Sequence, residues 1–363
     1  MELRVLVLPG DGIGPEVTAA AVAVLRQVAE VFGHTVQAVD GLVGGAAIEA
    51  AGSPLPPESL RAARAADAVL LGAVGAPQFD SLPPERRPER GLLELRQALG
   101  TFANLRPSRA WPALLDASPL KNAIVEGTDL LIVRELTSGL YYGTPRGLSG
   151  SGADERAVNT LSYTRHEIER VARVAFDLAR GRRSRVTSVD KSNVLENSQL
   201  WRRVVTDVAA GYPDVALDHV LVDTCAMQLV VNPRRFDVVL TENLFGDILS
   251  DEAAVLSGSI GMLASASIGE RRPSGLRAGI YEPVHGSAPD IAGRNVANPL
   301  GAIGSVAAML AYTFELHAEA RAVEAAIDRV VAAGRLTADL KPAGRAASTT
   351  EVAQAVGAAI TVT

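Results

Sequence analysis

Cysteine is almost absent: Cys225 is the single one among 363 residues. An intrachain disulfide is thereby excluded, and so is a zinc site built from several thiolates. Cys225 lies in an apolar stretch and reads as a small buried residue. The opening MELRVLVLPGDG lacks the basic start and long apolar run of a secretory leader, so a reducing, cytoplasmic setting is expected. Aromatic residues make up only 4%, which leaves the cores to Ala, Val, Leu and Ile. No apolar run approaches the ~18 residues of a membrane span, so no membrane partner is expected. A net charge of −6 supplies no basic excess, and no nucleic-acid partner is expected either.

What is present suits a folded, two-domain chain. Hydrophobic residues reach 48% and charged residues 21%, and the length exceeds that of one ordinary domain. Strand-like apolar runs cover Leu3–Leu8, Ala68–Ala73, Leu130–Val133, Arg185–Val189, Val220–Val222, Phe236–Thr241 and Ala278–Pro283. They alternate with helical patterns at Pro15–Val31, Tyr163–Arg180, Asn197–Ala210, Phe245–Leu256, Leu300–Leu316 and Ala320–Ala333. Such alternation predicts α/β layers around a mostly parallel sheet. Runs apolar on successive residues, such as AVLLGAV, predict strands covered on both faces. Boundaries near Gly100 and Gly258 divide the chain into a first domain, residues 1–100 with 258–363, and a second, residues 101–257. The polar stretch Asp154–Ser162 reads as an arm or hairpin away from the main sheet.

Several residue sets carry possible chemistry. PGDGIGPE at Pro9–Glu16 joins a strand to a helix, with Pro15 in the helix's first turn. Its spacing does not fit the dinucleotide fingerprint, and it lacks the GK[ST] of a phosphate-binding kinase loop. Arg96, Arg106 and Arg134 come from separate elements, and arginine's planar fork suits carboxylates. Surface ion pairs are the plain alternative for Arg96 and Arg106, whereas Arg134 closes a buried-looking strand and requires a partner. Asp247 and Asp251, four residues apart, share one helix face. Asp223 follows a strand, where ligand sites of open α/β sheets lie. Three carboxylates without a His or Cys cluster suit a hard ion, Mg²⁺ or Mn²⁺. The alternative is a helix-end charge and a solvated one. Tyr141 and Lys191 lie just beyond strands and can do acid–base work where the site shifts them; otherwise they are a packing residue and a surface charge. The long segment Glu282–Pro299 offers His285 to a flat ring and Asp290 to a ribose, and an acid there disfavours a 2′-phosphate.

Taken together, the segments PGDGIGPE at Pro9, RPERGLLELR at Arg87, FANLRP at Phe102, RELTSGLYYG at Arg134, SVDKSNVLE at Ser188, LVDTCAMQL at Leu221, FDVVLTENLFGDILSDEAAVL at Phe236 and EPVHGSAPDIAG at Glu282 resemble the β-decarboxylating dehydrogenase family. The resemblance spans nearly the whole chain. It implies a two-domain α/β fold with a large mixed, mostly parallel sheet, not a Rossmann fold, and an arm at residues 136–162. It implies NAD-dependent, Mg²⁺- or Mn²⁺-dependent oxidative decarboxylation of a 2-hydroxy dicarboxylic acid in a homodimer with shared active sites. By that resemblance the first domain binds cofactor, and the second binds substrate and metal and dimerises. Arg96, Arg106 and Arg134 match the substrate clamp, Tyr141 and Lys191 the catalytic acid and base, and Asp223, Asp247 and Asp251 the metal ligands. Lys191 and Asp223 reach the site from the other subunit, where Asp223 also faces substrate. Glu89, Asn193, His285, Gly286, Ser287, Ala288, Pro289, Asp290, Ile291 and Asn298 match cofactor positions. Leu92, Leu93 and, across the dimer, Val194 match contacts to the substrate's side chain, and being apolar they suit a branched alkyl group. Arg90 stands close to this pocket and departs from its apolar character. The rivals are D-malate- or tartrate-type oxidation and a non-catalytic regulatory subunit, which would be expected to have lost a catalytic residue.

Overall fold

β-Branched and leucine-rich runs form strands here because their side chains pack on a pleated surface covered by helices. The computed structural model describes residues 1–362. In chain order its strands are β1 (Glu2–Gly10), β2 (Thr35–Asp40), β3 (Ala68–Ala73), β4 (Ala103–Arg109), β5 (Asp129–Glu135), β6 (Gly147–Ser149), β7 (Arg156–Val158), β8 (Arg185–Asp190), β9 (Ala216–Leu221), β10 (Val238–Thr241), β11 (Ala264–Arg271) and β12 (Arg277–Pro283). All six residues of β3 are buried, as a strand covered on both faces requires.

The chain forms two compact units. The first holds Met1–Thr101, Ala110–Asn122 and the chain from Ala254 onward. Its strand order is β2-β1-β3-β12-β11, parallel except for the β11–β12 pair. The nearly all-apolar helix Leu300–Tyr312 is buried along most of its length. The second unit holds Phe102–Arg109 and Ala123–Ala253. Its order is β4-β5-β10-β8-β9, parallel except for the β4–β5 pair. Ten strands, five from each unit, thus make up a mixed, mostly parallel α/β architecture. β6 and β7 pair separately as an antiparallel hairpin inside the expected arm.

The differences from the sequence reading have local causes. The segment Ala110–Asn122 returns to the first unit, where Trp111 Nε1 donates to Asp328 at 3.0 Å and Ser118 Oγ to the Val255 carbonyl. β2, β4 and β11 escape an apolar-run search. β2 is half exposed, β4 carries Pro107 and two arginines, and β11 is built from alternating small residues. The strand placed at Val220–Val222 runs instead over Ala216–Leu221, because Val222 opens a helix with Asp223 in its first turn. The strand placed from Phe236 begins at Val238. Asp237 ahead of it accepts from Arg182 Nε and the amides of Arg183 and Arg185. Among the described residues no helix is long and apolar enough to cross a membrane.

Cys225 is fully buried, and burial pushes its thiol up to about 12. The thiolate is the reactive form, so the native protein should resist a thiol reagent at pH 8 and titrate one thiol in denaturant. Stoichiometric labelling of the native protein would contradict this packing.

Candidate active site

In the second unit, β5 ends on two buried charges, Arg134 and Glu135, with 1% and 0% exposure. A guanidinium so buried needs acceptors. Arg134 Nε and Nη2 donate to Asn243 Oδ1 at 3.1 and 2.7 Å, and Nη1 donates to Asp247 Oδ1 at 2.5 Å. Asn243 and Asp247 belong to the helix Asn243–Ala254 that follows β10. Gly246 lies between them because a Cβ there would stand 2.5 Å from Arg134 Cγ. After β5 the chain turns sharply. Glu135 accepts from the amides of Thr137 and Ser138, and Gly139 takes φ +75° where a Cβ would strike the Tyr163 hydroxyl. The short turn Gly139–Tyr141 then delivers Tyr141, whose hydroxyl donates to Asp247 Oδ2 at 2.7 Å. Its ring lies 5.7 Å from the Arg134 guanidinium. Burial, and then the bond to Asp247, push the Tyr141 phenol up to about 12.

Arg106 on β4 joins the same cluster. Its Nε donates to Asn104 at 2.9 Å, and Nη1 donates to Ser250 Oγ at 2.6 Å and to Asp251 at 3.2 Å. The same nitrogen lies 3.6 Å from Asp247, so both aspartates of the helix flank one guanidinium. Burial and the neighbouring Asp247 charge hold the Asp251 carboxyl above its ordinary value, partly offset by Arg106. Two adjoining carboxylates of one sign are the oxygen donors a hard divalent cation takes. Among the described residues of one chain, no group of three or more His, Cys, Asp or Glu side chains could hold a metal. Asp223 pairs instead with Lys191, Oδ1 to Nζ at 2.6 Å, and this hydrogen bond draws the Asp223 carboxyl down. Asn193 and Val194 follow Lys191 and are exposed.

The remaining candidates lie in the first unit. The glycine loop after β1 packs on the segment following β12: Ile13 N donates to the Ser287 carbonyl at 2.8 Å. A Cβ on Gly12 would stand 1.9 Å from the same oxygen. Asp11 accepts from the amides of Gly45, Ala46 and Gly75 at 2.8–2.9 Å. Glu89 and Ser287 both border Gly75. Arg96 on the helix Pro88–Leu99 donates to Glu282 at 2.6 Å, both side chains 9% exposed. On the same helix Leu92 packs partly on the core and Leu93 is half-buried. His285 is buried: Nδ1 is 2.9 Å from the Gly286 carbonyl, and Nε2 is buried without a hydrogen-bond partner. Burial lowers its pKa, which favours the neutral ring. Gly286, Pro289 and Asp290 are exposed, Ala288 takes φ +39°, and Ile291 is half-buried. Asn298 engages Asp339 at 3.0 Å and, through Oδ1, the Leu300 amide at the helix start.

Four residues that build these groups escape sequence reasoning: Asn243, Glu135, Glu282 and Asp11. Each lies in a quoted segment, but only the fold reveals its partner. The Gly246 contact yields a test. Gly246→Ala should cut kcat/KM at least about tenfold, ~1.4 kcal/mol of transition-state stabilisation, by displacing Arg134. Unchanged kcat/KM would show that Arg134 need not stay where the structure puts it.

Comparison with known proteins fits this geometry. The family model for isocitrate/isopropylmalate dehydrogenase matches residues 4–356. The 3-isopropylmalate dehydrogenase of Halalkalibacterium halodurans is 56% identical over 361 residues, covering 99% of this chain and 98% of that protein. That of Geobacillus kaustophilus is also 56% identical, covering 98% and 95%. Among solved structures, isocitrate dehydrogenase from Methylococcus capsulatus superposes with a TM-score of 0.86 at 36% identity, covering 99% of each chain. A β-decarboxylating dehydrogenase from Thermococcus kodakarensis gives 0.78 at 38%, covering 99% of this chain and 96% of that one. With a conserved-length match over almost every residue and a site cluster of two arginines, a tyrosine and paired aspartates, the chain belongs to the isocitrate/isopropylmalate dehydrogenase family.

Proposed function

We propose that this enzyme oxidises and decarboxylates 3-isopropylmalate with NAD and a divalent cation, Mg²⁺ or Mn²⁺, in leucine biosynthesis in the cytoplasm. The observation that carries the reading is the Arg134–Asp247–Tyr141 cluster, in which a cation, an anion and a protonated phenol stand in contact. Asp247 and Asp251 would hold the cation through carboxylate oxygens, together with Asp223 of a second copy. The cation, when bound, stabilises negative charge developing on the substrate's oxygens. NAD, when bound, would supply the hydride acceptor, and the orphaned Nε2 of His285 is a polar atom that its ring system could satisfy.

The chain's own groups divide the remaining work. Arg96, Arg106 and Arg134 hold the two carboxylates and neutralise them. Lys191, its Nζ held by Asp223, would take the proton from the 2-hydroxyl in its neutral form, which a cation held by Asp223 would favour. Loss of the carboxylate as CO₂ leaves a carbon that requires a proton. Tyr141 gives it, since a phenol raised to about 12 still carries its proton at neutral pH. Leu92, Leu93 and Val194 receive the isopropyl group. Glu89, Asn193 and the loop Gly286–Ile291 with Asn298 hold the dinucleotide.

A second copy is part of this reading. Met227, Val230 and Val231 on the helix Val222–Val231, Ile248 on the helix Asn243–Ala254, and Leu148 on the β6–β7 hairpin are apolar and 41–77% exposed. Such side chains fit an interface between copies.

Two measurements test these claims. With NAD and Mn²⁺, kcat/KM for 3-isopropylmalate should exceed that for D-malate by at least about 10–200-fold, the range an alkyl group contributes in an apolar pocket. Isocitrate should be poorer still, because these leucines offer its third carboxylate no hydroxyl or amide donor, and chelation should abolish turnover. Equal efficiency on D-malate would sink the substrate assignment. Separately, Lys191→Ala and Asp251→Asn proteins, each inactive, should recover roughly a quarter of wild-type activity after subunit exchange, as one intact site per hybrid dimer predicts. No recovery despite verified exchange would place Lys191 and Asp251 of the same chain in one site.

A further inference from the structure

Asn243 is fully buried, and both ends of its amide go to groups of the site. The assignment of oxygen and nitrogen is forced, since a guanidinium only donates and a carbonyl only accepts. Oδ1 takes two N–H groups of Arg134, and Nδ2 donates to the Ser138 carbonyl at 3.0 Å. Ser138 opens the turn Gly139–Tyr141. From Tyr141 the hydroxyl reaches Asp247 Oδ2, and Arg134 reaches Oδ1 of the same carboxylate. The bonds therefore close a ring running Arg134, Asn243, Ser138, Tyr141, Asp247 and back to Arg134. Asn243 touches neither Tyr141 nor Asp247 in that ring, yet it is the side chain that ties the arginine to the tyrosine's loop. The amide is itself anchored: its backbone N–H donates to the Tyr163 hydroxyl at 3.0 Å, which donates to buried Glu242 at 3.3 Å.

We propose that Asn243 is a positioning residue, setting the carboxylate-binding guanidinium of Arg134 and the proton-donating phenol of Tyr141 at a fixed separation through one amide. The inference rests on the functional reading above for the roles of those two groups. Its physical content is that a dicarboxylate held by Arg134 presents its reacting carbon to Tyr141 at one distance, and that misplacement of about 1 Å costs up to ~10²-fold in rate. Ser138 has other tethers, its amide to Glu135 and its hydroxyl to Glu167. Loss of Asn243 should therefore shift the turn without unfolding it.

The test is steady-state kinetics of the full-length enzyme on the 2-hydroxy acid it accepts best, with NAD and Mn²⁺. Asn243→Ala should raise KM for the acid about tenfold, lower kcat about tenfold and leave KM for NAD within twofold. In a Tyr141→Phe background the same substitution should lower kcat by less than twofold, since the group it positions is gone. Asn243→Asp, which retains an acceptor for Arg134 but cannot donate to the Ser138 carbonyl, should lower kcat at least fivefold and provides the readout if the alanine variant fails to fold. An acid KM within twofold of wild type in Asn243→Ala overturns the arginine arm. A full tenfold loss of kcat on top of Tyr141→Phe, or an unchanged kcat in Asn243→Asp, overturns the tyrosine arm. A wild type that prefers another acid defeats the substrate reading alone, because these ratios are taken against the wild type on that acid.

Discussion

One charge at the end of β5 organises the second unit's site. Arg134 is 1% exposed, and a guanidinium in that position is tolerable only when its donors are met. Asn243 and Asp247 meet three of them, and their spacing on one helix places both on the face turned to β5. The constraint propagates. The helix must approach closely enough for the bonds, so Gly246 cannot carry a side chain. The Asp247 carboxylate, fixed on one oxygen, has the other available to Tyr141. Removing Asp247 would leave the buried Arg134 charge short of a partner, so this part of the fold and this part of the site depend on the same contact.

The same interaction explains what could be read in advance. Arg134 was legible because a charge closing the run LLIV contradicts its surroundings, and such contradictions mark function or strain. Asp247 and Asp251 were legible from their spacing, since residues four apart share a helix face. Asn243 was not, because a buried amide beside a polar segment looks like any helix-start residue until the fold supplies Arg134 on one side and Ser138 on the other. Glu282 and Asp11 are alike in this respect. Each serves partners far along the chain, Arg96 and the amides of Gly45, Ala46 and Gly75, and no local pattern encodes that distance.

The fold followed the same division. The strands β1, β3, β5, β8 and β12 were visible within a residue or two, whereas the helix read as Leu300–Leu316 ends at Tyr312 and the one read from Ala320 begins at His317. Strands whose burial comes from pairing were not. β11 is a series of small residues that acquires an environment only against β12, and β4 carries a proline and arginines that argue against a strand in isolation. The return of Ala110–Asn122 to the first unit was likewise invisible, because it depends on a tryptophan and a serine finding acceptors more than a hundred residues away.

The proton roles proposed for the site draw on how the environment treats its titrating groups, the general route by which one pocket supplies both acid and base. Tyr141 is partly buried against an anion, and both effects favour its neutral form, so it holds a proton until a stronger base develops beside it. Asp223 is exposed and bonded to Lys191 Nζ, which draws its carboxyl down and fixes the nitrogen in place. Between them the pair Asp247 and Asp251 repel each other while sharing Arg106. Repulsion of that kind is relieved by protonation or by a cation. If the site takes a doubly charged acid, as proposed, it gains from the cation alone, since a proton on either aspartate would remove the negative charge that a metal requires.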